Sequence, residues 1–269
     1  RVHVKTVYEV SKNLIAFAVL LLVPPSIVAD ADVEQGLRIM TEVDVRDTGW
    51  IDYTVDLTMI LSNARGETSE RQIRVKSKET EGDGDRTLLI FDTPPDVRGT
   101  GLLTHTHFSG EDDQWLYLPA LKRIKRIASK NKSGPFVGSE FAYEDLTSQE
   151  VSKYSYKHLN DETIDGKEHF VVERYPLDKN SGYTRQIAWI DKEHYRFKRI
   201  EFFDRKNKHL KTLSFYQYGL YENRFWRAAS MIMENHVSKK STQLAWNNFQ
   251  FGRGVRDQDF NKNALKRVR

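Results

Sequence analysis

The sequence predicts a mainly β protein with a few helices, built on one curved antiparallel sheet. Three observations carry this. From Ile51 to Leu61 the odd positions Ile51, Tyr53, Val55, Leu57, Met59 and Leu61 are apolar, while Asp52, Thr54, Asp56 and Thr58 lie between them. Strict alternation of this length is the mark of a long strand with one buried face. Roughly twelve strand-length segments follow one another at hairpin spacing, a sheet too wide to stay flat, which curls into an open or closed barrel. Only one early stretch has helical spacing: Val33, Leu37 and Met40 recur on one stripe behind Asp32 as N-cap, and Gly49 closes it.

The remaining strands are read over 72–77, 87–91, 101–108, 114–118, 153–159, 169–175, 183–190, 196–203, 210–218, 228–236 and 244–251. Asp165-Gly166 and Lys206-Asn207-Lys208 are hairpin tips. The segment 129–150 is too long for an ordinary connection in a compact domain. Its Phe136, Val137, Phe141, Tyr143 and Leu146 argue against disorder, and Tyr143-Glu144-Asp145-Leu146 suits a single helical turn. It is read as a lid over one end of the barrel, with a loop packed on the outside as the alternative.

Composition narrows the function. The 269 residues contain no Cys, which excludes disulfides, thiolate metal sites and cysteine nucleophiles. The net charge is +4, and residues 1–29 carry half of it, so the remainder gives little drive toward phosphate backbones and nucleic acid is not an expected partner. Residues 1–12 are basic, an apolar run follows, and Pro24-Pro25 leads to small residues before Asp30. That is the pattern of a cleavable signal peptide over 1–29, with cleavage after Ala29 or Ala31, a single domain over 30–269 and a periplasmic location. A buried N-terminal helix or an uncleaved anchor is the alternative. No lipidation Cys follows the run.

No nucleophile elbow, phosphate loop or zinc-protease motif is present, so no catalytic residue, cofactor or metal is expected. His105 and His107, two apart on an expected strand, share a face but lack a third ligand. Glu111, Asp112 and Asp113 are read as turn residues rather than as an acid–base pair. Six cations within 122–132 form the one dense basic stretch, a solvated hairpin face or else a docking surface for an acidic partner or lipid headgroups.

Particular strings add a resemblance. Phe91-Asp92-Thr93-Pro94-Pro95-Asp96-Val97-Arg98-Gly99-Thr100, Trp115-Leu116-Tyr117-Leu118-Pro119, Arg123-Ile124-Lys125-Arg126-Ile127 and Phe136-Val137-Gly138-Ser139-Glu140-Phe141, in this order, resemble the outer membrane lipoprotein-sorting protein family, a LolA-like group. The resemblance implies an unclosed, highly curved sheet with helices on its concave side. It implies a non-enzymatic carrier of lipoprotein or lipid acyl chains, acting with an inner-membrane RND/MMPL-type exporter and an outer-membrane acceptor, as a monomer. An envelope sensor or adaptor on the same fold is the alternative. Tyr53, Val55, Leu57, Met59, Leu103, Trp115, Tyr117 and Trp189 are then expected to line the cavity, and Phe136, Phe141 and Leu146 to form its lid. LolA has a buried arginine that influences release, and Arg98 is the position watched here.

Overall fold

The alternating segment becomes the centre of the sheet. In the computed structural model, which describes residues 25–267, the elements are α1 (Pro25–Arg46), β1 (Asp52–Ser62), β2 (Thr68–Thr80), β3 (Asp83–Thr93), β4 (Gly101–His105), β5 (Asp113–Leu118), β6 (Arg123–Arg126), β7 (Tyr154–His158), β8 (Glu162–Ile164), β9 (Lys167–Pro176), β10 (Tyr183–Asp191), β11 (Phe197–Asp204), β12 (His209–Tyr221), β13 (Phe225–Asn235) and β14 (Ser241–Phe251). All pairings are antiparallel. The order is β6-β5-β4-β3-β2-β1-β14-β13-β12-β11-β10-β9-β7, and β8 also pairs with β9. The terminal strands β6 and β7 do not pair, so the sheet curls without closing.

Strand twist accumulates over so many strands, and register shifts at Thr54/Asp56, Tyr183/Arg185 and Trp189/Ile190 add local bends. Cross-strand rows then define the inner face. Val55, Val75, Leu89, Leu102 and Leu116 run across β1–β5, and Met233, Leu213, Ile200, Ala188 and Val172 run across β13–β9. All ten are buried in one apolar cluster.

The two free edges are protected in different ways. β6 presents exposed Arg123, Lys125 and Arg126, charges that oppose pairing with another chain. Part of the basic stretch, read from the sequence as a solvated hairpin face or a docking surface, is thus an exposed edge strand. β7 lies against α1, so closely at Gly36 that an added Cβ would stand 3.0 Å from both Tyr156 Cβ and the His158 amide nitrogen.

α1 differs from expectation. It begins at Pro25, so Asp32 lies inside it rather than capping it. Of the expected leader, residues 1–24 lie outside the described residues. The buried stripe is Gly36, Ile39 and Met40, whereas Val33 and Leu37 are exposed. The stripe is offset because Gly36 sets the contact with β7. No helix among the described residues is long and apolar enough to cross a membrane.

A second, smaller core lies on the outer face. After β14 the chain crosses back in two short 3-10 turns, Asp257–Phe260 and Lys262–Lys266. Val255, Phe260 and Leu265 cover Leu88, Ile90 and Leu103, with Trp115, Tyr117 and Ile124 packed beside them. The β3–β5 region is therefore covered on both sides.

Candidate functional site

The concave face is filled by the segment 129–150. Its backbone forms a bridge between Pro135 and Ala142 and short turns at Phe136–Gly138 and Tyr143–Leu146, the latter as the sequence suggested. Phe136 (0% exposed) and Phe141 (2%) insert into the apolar cluster, with Leu146, Val137 and Tyr143 packed against it. The Phe136 ring meets Phe91 of β3 at 5.7 Å. At one margin of this plug lies a cleft of about 260 Å3, bounded by Leu61, Glu67, Gly138, Glu140 and Thr242. That is slightly below the roughly 300–1,000 Å3 of small-molecule sites.

Polar latches hold the plug to the sheet. Asp145 pairs with Lys211 of β12 at 2.7 Å, both side chains 5% exposed. Tyr183 Oη donates to Asp145 at 2.8 Å, the Ala142 amide donates at 2.7 Å, and Lys211 Nζ also donates to the Glu140 carbonyl. Burial, with the Asp145 and Glu144 charges beside it, pushes the Tyr183 hydroxyl far above its ordinary range, so it remains a donor. Glu144 accepts from Ser181 Oγ and the Gly182 amide; burial raises its carboxyl, and those two hydrogen bonds oppose the rise. Lys132 pairs with Asp178, Glu140 accepts from Asn235, and the Glu140 amide donates to Thr242 Oγ1 at 3.0 Å. A buried ion pair contributes little net stability but strongly penalises loss of one partner, so this set fixes one position for the plug.

The expected lining residues divide between two faces. Val55, Leu57 and Met59 are buried on the inner face, and Tyr53 packs against the same cluster. Leu103, Trp115 and Tyr117 do not join them. They face outward, under the C-terminal turns, and their neighbours Leu102 and Leu116 take the inner positions. Trp189 also lies on the outer side: its indole donates to Glu162 of β8 at 2.8 Å, with the Arg199 guanidinium 4.0 Å above the ring. Arg98 is exposed and donates to the Asp92 carbonyl. Among the described residues the buried arginine is Arg174, 1% exposed on β9.

The histidine pair separates because β4 ends at His105. His105 Nε2 lies 2.8 Å from the Phe260 carbonyl, whereas His107 sits between Asp83 and Asp113. Among the described residues no group of three or more His, Asp or Glu is arranged to hold a metal.

Acids gather where the plug rejoins the sheet. Burial raises the Asp85 carboxyl to about 6, opposed by a hydrogen bond from Ser148 and reinforced by Glu79, Asp47 and Asp44. Burial, then Asp85 and Asp44, raises Glu150 to about 7. Both groups bind protons more tightly in the folded chain than in the unfolded one, where they titrate near 4. Their contribution to stability is therefore lost as pH rises from about 4 to 7. Glu150→Gln is expected to leave the urea midpoint unchanged at pH 4 and to raise it above wild type at pH 8. A lower midpoint at pH 8 would contradict this reading.

An unclosed antiparallel barrel whose apolar concave face is plugged by a latched internal segment defines a LolA-like architecture. A crystal structure of a domain from Vibrio parahaemolyticus, described as an outer membrane lipoprotein-sorting protein, is 56% identical over 87% of this chain and 99% of that one, with a TM-score of 0.85. The chain belongs to this outer membrane lipoprotein-sorting protein family. A DUF1329 family protein from Desulfovibrio piger is 28% identical over 87% of this chain and 99% of that one, with a TM-score of 0.83. A LolA superfamily protein from Nitrosomonas europaea shares the fold at 18% identity and a TM-score of 0.69, over 85% of this chain and 98% of that one. A family model described as "uncharacterized protein" matches residues 83–267. None of the curated proteins matches the chain.

Proposed function

We propose that this protein is a periplasmic carrier that takes acyl chains of lipoproteins or lipids onto the concave face and moves them toward the outer membrane. An RND/MMPL-type inner-membrane exporter is its proposed source of cargo, and residues 1–29 are its proposed export signal. The observation that carries this reading is the way the interior is filled. A single segment, entering and leaving at neighbouring places, covers the apolar face with two phenylalanines, so the face can be vacated without unpairing a strand.

Magnitudes agree. Burying Phe136 and Phe141 contributes about 2 kcal/mol each. Placing a sixteen-carbon chain on the same surface contributes about 0.8 kcal/mol per CH2, on the order of 10 kcal/mol before ordering costs. An acyl chain thus offsets the loss of both rings from the face, while the plug keeps the face covered without cargo. Carriage of this kind needs no catalytic residue; His105 is engaged by the Phe260 carbonyl, and His107 lies between Asp83 and Asp113.

A lock on the plug tests this. The chain has no Cys, so in Glu140→Cys with Thr242→Cys the two new thiols are the only ones, and the oxidised monomer carries the intended bridge. The oxidised protein is expected to take up no acylated peptide from detergent-free vesicles, and dithiothreitol to restore uptake. Equal uptake in both redox states would show that the plug is not the gate.

A further inference from the structure

One cross-strand row on the inner face carries buried polar side chains among aromatic ones. Tyr156, Arg174, Gln186, Phe202 and Lys211 stand side by side on β7, β9, β10, β11 and β12, next to the apolar row that contains Val172 and Leu213. The row holds two cations. Lys211 receives Asp145 from the plug. Arg174 receives no carboxylate among the described residues: its Nε donates to Gln186 Oε1 at 2.7 Å, and its Nη1 has no protein partner. Two other buried side-chain nitrogens share this condition, but Arg199 has Glu201 at 3.5 Å and the Trp246 indole is neutral.

A guanidinium cannot shed its proton, so its burial is fully offset by an anion or by a full set of acceptors. The Tyr154 and Phe197 rings, 5.0 and 5.7 Å from Arg174 Cζ, supply part of that compensation. Tyr154 is in turn held by Gln149 at the end of the plug, at 2.8 Å. Displacing the plug therefore uncovers the cation together with the apolar face.

We propose that Arg174 is the headgroup site of this interior, receiving the carboxylate or phosphate of an anionic amphiphile whose chain lies on the apolar rows. This rests on the carrier reading and narrows it, since a neutral acyl ester offers Arg174 no charge.

The test compares cis-parinaric acid with its methyl ester, which have the same fluorescent chain, on wild type, Arg174→Met and Arg174→Lys. Wild type is expected to bind the acid roughly ten-fold or more tightly than the ester, the effect of one charge-assisted hydrogen bond. Arg174→Met should bind both probes with the wild-type ester affinity, and Arg174→Lys should keep part of the preference. Arg174→Met is expected to fold, because an apolar group in place of an uncompensated buried charge is neutral or stabilising; if it does not fold, the wild-type ratio and the Lys variant decide. Displacement of the probe by oleate points to a carboxylate ligand, and displacement by oleoyl-lysophosphatidate to a phosphate; either supports the site. Equal affinity of wild type for acid and ester overturns the site and leaves the carrier reading standing. No binding of either probe overturns both.

Discussion

Asp145→Ala is expected to lower stability by about 3–5 kcal/mol, the cost of leaving a buried charge without its partner. Lys211 would remain in the interior with only the Glu140 carbonyl, and the Tyr183 hydroxyl would lose its acceptor. For a chain of this size each kcal/mol corresponds to about 2–4 °C, so a fall of roughly 6–20 °C in Tm is expected. Protease sensitivity should rise within 129–150 before it rises in the strands. The double variant Asp145→Leu, Lys211→Met should recover most of the stability, because it removes the charge as well as the pair. A loss under about 1 kcal/mol from Asp145→Ala would mean that the pair does not hold the plug.

Phe141→Ala and Phe260→Ala should cost similar amounts, about 3–5 kcal/mol each, since both rings are buried and neither site is free to collapse. Their effects on cargo should differ. Phe141 occupies the inner surface that an acyl chain needs, so its truncation weakens the competitor and raises acyl affinity; bound chain should then restore part of the lost stability. Phe260 packs on the outer face against Leu88, Ile90 and Leu103, so its truncation should destabilise without raising affinity. Acyl-peptide titration with parallel urea melts checks both. Equal affinities of the two variants would place the binding surface somewhere other than the inner face.

The same division between faces explains what was legible in the sequence. In β1 one side is polar and one apolar, so Val55, Leu57 and Met59 declared their direction. In β4 Gly101, Leu102, Leu103 and Thr104 are all buried, because the C-terminal turns cover the outer side. Two adjacent leucines then carry no parity, and the choice of Leu103 over Leu102 could not be made locally. Trp115 and Tyr117 kept their alternation with Leu116, but which side faced inward depended on pairing with β4, a non-local fact. A large aromatic residue proved a poor guide to the concave side. Trp189 shows the same, since the outer face there is covered by β8.

The polar members of the site were hidden for another reason. Lys211, Arg174 and Gln186 stand at inward positions of strands where a charge or amide ordinarily marks the solvent side. The signal that identifies them is spacing: Arg174 is two residues from Val172, and Lys211 two from Leu213, and each pair shares a face. Phe136, Phe141 and Leu146 were legible because aromatics in a segment too long for a connection need a place to be buried.

Native mass spectrometry of the protein, purified without detergent and followed by lipid extraction, tests the central claim most directly. The account predicts a bound lipid or acylated peptide near one per chain, lost from the locked Glu140→Cys, Thr242→Cys form when loading is attempted after oxidation. A protein that remains empty after incubation with membrane vesicles, while folded and unlocked, would contradict it.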